Sequence, residues 1–131
     1  MKNVKQYYKE LGKLVYAVAI ADGIVQPEER EKLHQFVLKE LASNERTYDS
    51  SGMNQAFYVD FEFDESEKSR LNLNGTVARF SKFINENIEP NDKKLIERST
   101  TLLEVVANAY SKKKEKSIVE QFINKTKTLI K

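Results

Sequence analysis

Tyr8, Leu11, Leu14, Val15, Val18 and Ala19 recur at spacings of three and four, which sets them along one face of an α-helix. The pattern then breaks twice. Gly23 supplies the backbone freedom that commonly ends a helix. Pro27 suits the first position of a new one, where its missing N–H would have no partner anyway. The spacing predicts one helix over 4–21 and a second from 27 to about 43. Glu28 and Glu29 fall in the first turn of the second helix, at the positive end of its dipole, and Leu33, Phe36, Val37 and Leu41 make its buried stripe. Ser43 and Asn44 mark its end. So short a connection makes the two helices fold back on each other, and the hairpin of residues 4–43 constrains everything that follows.

Residues 44–72 are less regular. The stretch 45–52, "ERTYDSSG", reads as a polar loop. In "AFYVDFEFDE", Val59, Phe61 and Phe63 alternate with Asp60, Glu62 and Asp64, a strand-like period. A lone strand has nothing to pair with. Phe57 and Phe61 also fit helical spacing, so the segment is expected to be helical. Further helices are expected over 73–87 (Val77, Phe80, Phe83 and Ile84 inward) and from the Pro90-Asn91-Asp92 start to about 110. The stripe of the latter is Leu95, Ile96, Ser99, Leu102, Leu103, Val106 and Ala109. A last helix is expected to carry Val119, Phe122, Ile123, Thr126 and Ile130. The segments "LVYAVAIADG…EKLHQFV" and "LLEVVANAYS…SIVEQFI" echo each other as helix, turn, helix, consistent with a degenerate duplication of one hairpin. The expected architecture is an all-α, single-domain bundle of five to seven helices over 1–131, with a first hairpin (4–43), a variable middle (44–72) and a second half (73–131).

A chain of 131 residues can bury one sizeable core. It has no cysteine, which excludes disulfides and thiolate metal sites. The N-terminal stretch lacks the apolar core of a secretory signal. The longest apolar run, Leu14 to Ala21, is far short of the roughly 20 residues that cross a bilayer. A cytoplasmic location is the expectation. Net charge is only +2, so nucleic acid is not an expected partner. The charge is unevenly spread. Residues 43–70 hold seven acids and three bases, with Asp60, Glu62 and Asp64 close together, and residues 93–131 hold ten bases and four acids, with Lys112, Lys113 and Lys114 in one run. These two groups are the candidate interaction surfaces, either as solvated helix faces or as opposed potentials that select partners.

The phrase "LVYAVAIADGIVQPEEREKL" runs an apolar helix into Ala-Asp-Gly, then Val, then a Pro-Glu-Glu helix start. It resembles the TerB-like domains associated with tellurite resistance, over residues 11–41. The resemblance implies an all-helical, intracellular fold without catalysis. It also implies action in stress-linked or membrane-associated complexes with other proteins, opposed acidic and basic surface clusters, and involvement of metal ions. The second hairpin departs from the pattern: Tyr110-Ser111 stand where Asp22-Gly23 stand in the first.

Asp22, Glu28 and Glu29 are the candidate metal ligands. Aligned to a calcium loop, Asp22 takes position 5, Gly23 the glycine position, Val25 the apolar one and Glu29 the bidentate one. Val18 and Ile20 then occupy positions 1 and 3 and cannot ligate through their side chains. The alternative is structural: Asp22 accepts backbone N–H bonds in the turn, and Glu29 reaches back to the Gln26 N–H as half a capping box.

Nothing in the chain favours catalysis. His34, the single histidine, lies beside the buried stripe with no nucleophile in its motif, and no phosphate-binding glycine loop occurs. The aromatic run at 57–63 leaves one helix apolar around much of its girth, a surface for a partner helix or a second copy in a homodimer. The reading is a non-enzymatic interaction module without a cofactor, or alternatively a domain that responds to a weakly bound divalent cation.

Overall fold

The computed structural model describes residues 1–21 and 23–109. Five α-helices form an all-α bundle, without strands among the described residues: α1 (Val4–Ala19), α2 (Pro27–Phe36), α3 (Tyr58–Ser69), α4 (Thr76–Asn87) and α5 (Lys93–Ala109). The expected last helix, the second repeat copy beyond residue 109 and Lys112–Lys114 lie outside the described residues.

α1 is the central element. Tyr7, Tyr8, Leu11, Leu14, Val15, Tyr16, Ala17, Val18 and Ala19 are all buried, so it is covered on more than the single stripe its spacing suggests. It packs against α3, α4 and α5. The expected close packing of α1 on α2 is replaced: α2's main helical neighbour is α5. The reason is the width of the apolar faces. α2 offers a narrow stripe of Leu33, continued by Val37 and Leu41, whereas α1 must be enclosed by several helices.

α1 ends at Ala19, two residues earlier than its apolar run, and Gly23 follows with φ of +98°. α2 begins at Pro27 as expected. It loosens into a π-helical turn (Val37–Leu41) and a 3-10 turn (Ala42–Asn44), where Ser43 donates to the Lys39 carbonyl. α4 starts at Thr76 rather than 73, because Gly75 sits in the left-handed region (φ +73°) and Asn72 ties up the preceding turn by accepting the Asn74 N–H. Asn91 and Asp92 likewise precede α5 instead of forming its first turn. The Asp92 carboxylate is turned away, accepting the Glu89 N–H at 2.8 Å and pairing with the Met1 ammonium.

Two tyrosines stitch α1 to its surroundings. The buried Tyr7 hydroxyl meets Ser99 Oγ, which donates to the Leu95 carbonyl at 2.9 Å. The Tyr8 hydroxyl donates to Glu45. Burial pushes both phenols well above their ordinary range.

Two carboxylates order the 45–54 loop: Glu45 Oε2 accepts the Arg46 and Thr47 N–H groups and the Thr47 hydroxyl at its start, and Asp49 ties its tip. Asp49 Oδ1 accepts the Ser51 and Met53 N–H groups and the Ser51 hydroxyl, and Oδ2 accepts the Tyr58 hydroxyl. The Met53 amide, the Tyr58 hydroxyl and Ser51 together hold the Asp49 carboxyl down at about 2. A folded value below the unfolded one means that the tie is complete above the unfolded pKa of about 4 and is lost as pH falls through about 2. The protection factors of the Ser51 and Met53 amides, measured against their intrinsic exchange at each pH, are therefore expected to fall over that window, ahead of those of the helices. Unchanged protection of these amides at the bottom of the window would contradict the assignment.

Candidate binding groove

The "FYVDFEF" run is helical, and its alternation was coincidental. Val59, Phe63 and Ser66 are buried on α3 at helical spacing, whereas Phe61 lies on another face with 53% of its surface exposed. That residue stands over a groove of about 820 Å³ between α2 and α3. Val25, Pro27 and Leu33 form one apolar wall, and Met53, Phe57, Phe61 and Phe63 form the other.

Two ladders of charge cross the groove. α2 presents Arg30 and His34 one turn apart; α3 presents Asp60, Asp64 and Glu67 at matching spacing. Arg30 bonds Asp64 at 3.0 Å and Glu67 at 2.5 Å, and its guanidinium lies 5.5 Å from the centre of the Phe63 ring. His34 Nδ1 lies 3.4 Å from Asp60 Oδ2, an ion pair whenever the imidazole is protonated. Burial raises the Asp60 carboxyl pKa; His34 opposes that shift and the Asp64 charge adds to it. These pairs are partly solvated and contribute about 0–1 kcal/mol each to stability. Their effect is to position charge around an apolar floor.

The expected acidic surface is thereby divided. Asp60 and Asp64 line the groove, while Glu62 faces Lys13 of α1 at 4.0 Å. His34 and Arg30 had no functional role on sequence grounds; the signal that would have found them is the i, i+4 match between α2 cations and α3 carboxylates.

At the first turn of α2 the two glutamates point apart. Glu28 is exposed, and Glu29 is fully buried with Oε1 accepting the Gln26 N–H at 2.6 Å, the half capping box expected of it. Glu29 Oε2 is buried without a hydrogen-bond partner among the described residues. Asp22 lies outside the described residues. Among the described residues no three His, Asp or Glu side chains cluster closely enough to hold a metal, and no helix is long and apolar enough to cross a membrane.

The fold and site together define a class: an all-α bundle with an open, apolar groove between two helices, rimmed by charge. Comparison with family models, curated proteins and solved structures finds no match.

Proposed function

We propose that this chain is a non-enzymatic protein-interaction module that seats an apolar segment of a partner protein between α2 and α3. The observation that carries the reading is Phe61, a large side chain half exposed above a preformed apolar groove. The groove holds a histidine–aspartate pair, but no hydroxyl or thiol lines it among the described residues, so the pair has no side-chain nucleophile beside it there. The TerB-like resemblance of residues 11–41 agrees with an interaction role in intracellular, membrane-associated complexes, and a cytoplasmic location belongs to the same reading.

A second reading is supported by the buried, unpartnered Glu29 Oε2. An oxygen in that state costs free energy unless something meets it, and a divalent cation, bound together with Asp22 as the loop spacing in the sequence suggests, would do so. One experiment addresses both readings: affinity capture from lysate with wild type, Phe61→Ser and Glu29→Gln chains, each with calcium and with chelator. Partners lost with Phe61→Ser at either calcium level support the groove. Partners held only with calcium, and lost with Glu29→Gln, support the cation reading. Partners indifferent to Phe61→Ser refute the groove as the contact surface.

A further inference from the structure

We infer that the segment seated between α2 and α3 is an amphipathic helix whose apolar stripe is flanked by lysine or arginine; this rests on the groove being a protein-binding surface. The reasoning starts from charge balance at the rim. Among the described residues, Glu31, Asp60 and Asp64 line the groove together with a single permanently charged cation, Arg30. That cation is already bound by Asp64 and by Glu67 just beyond the lining, so little of its charge is left for a ligand. Among the described residues, Glu31 meets only the neutral Gln35 amide. Asp60 is poorly hydrated and, among the described residues, has only the His34 imidazole facing it, with Asp64 adding like charge. A ligand that covers the floor must take these carboxylates further from water, a cost that an incoming ammonium or guanidinium offsets. An acidic ligand would add repulsion, which disfavours nucleic acid and anionic lipid surfaces alike.

The apolar walls argue for the helical form. Both come largely from helices, so a third helix can lay an i, i+3, i+4, i+7 stripe between them as bundle helices pack on each other. The exposed Phe61 would become the central contact of that seam. The chain as a whole is positive, at +2, so a preference for a basic ligand cannot arise from overall charge and must come from the local field of the groove.

The test uses the full chain and two fluorescent helical peptides of about 18 residues, roughly five turns. One is built of leucine and lysine, and the other has glutamate in place of every lysine. The expected result is that the leucine–lysine peptide binds at least about tenfold more tightly, about 1.4 kcal/mol. That binding should weaken severalfold on raising salt, and severalfold again with Phe61→Ser and with Glu31→Lys. Circular dichroism of both variants confirms that they are folded. If the two peptides bind equally and Phe61→Ser weakens both, the charge inference is overturned while the groove reading survives. If neither binds, or binding ignores Phe61→Ser, both are overturned.

Discussion

Gly12→Ala is expected to destabilise the fold by about 2 kcal/mol and to lower the melting temperature by roughly 6–10 °C. An ideal Cβ at Gly12 would stand 2.6 Å from the Val59 carbonyl oxygen, 2.9 Å from Glu62 Cβ and 3.2 Å from the Phe63 N. Two of the three obstacles are backbone of α3, so no side-chain rotation relieves the clash; α3 must move away from α1. Overpacking of this kind costs about 1–3 kcal/mol, and a backbone obstacle places Gly12 at the upper end. Alanine's better helix propensity returns up to about 1 kcal/mol. Because α3 also forms one wall of the groove, the displacement should weaken groove binding in chains that remain folded. Thermal unfolding followed by circular dichroism reads the effect, and a neutral or stabilising Gly12→Ala would show that α1 and α3 are not in close contact there.

The second large effect is expected at Asn54, a position that carries no apolar signal. Its amide donates to the Ala42 carbonyl at 2.9 Å and to the Glu45 carbonyl at 3.2 Å, and its oxygen accepts the Ala56 N–H at 3.0 Å. One nearly buried side chain thus closes the end of the α2 segment, opens the 3-10 turn Gln55–Phe57 and pins the loop between them. Asn54→Ala removes a cap worth about 1 kcal/mol and strands two carbonyl acceptors, for a total of about 2–3 kcal/mol. Met53 and Phe57 flank this residue and line the groove, so ligand affinity should fall along with stability. Asn54→Asp keeps the acceptor but sets a carboxylate oxygen against the Ala42 and Glu45 carbonyl oxygens in a nearly buried site, and is expected to be at least as destabilising as Asn54→Ala in chemical denaturation. Equal stability of all three chains would contradict this account.

Gly12 and Asn54 also show where sequence reading stops. The helices were legible because burial imposes a period of 3.6 on apolar residues, and Pro27 and Gly23 punctuate that period by local backbone chemistry. Gly12 matters only because Val59, some fifty residues away, approaches it, and no local pattern records such an approach. Asn54 acts through three backbone groups whose positions depend on how the α2 segment ends. The same limit applies to the site. Asp60, Glu62 and Asp64 form one acidic cluster along the chain, yet a helix sends Glu62 toward Lys13 and the other two toward Arg30 and His34. Phe61 was legible as an aromatic in an apolar run. Its exposure follows from Val59 and Phe63 taking the buried face. Glu29 was read correctly from the capping pattern, because that bond is local.

The most direct test of the central claim places a photo-crosslinking benzophenone side chain at position 61 in living cells, with the same group at Leu38, another exposed apolar position at 50% exposure, as the control. The account predicts discrete protein adducts from position 61 and none of the same mass from position 38. Identical adducts from both positions, or adducts from position 38 alone, would contradict the assignment of the α2–α3 groove as the surface where this protein meets its partner.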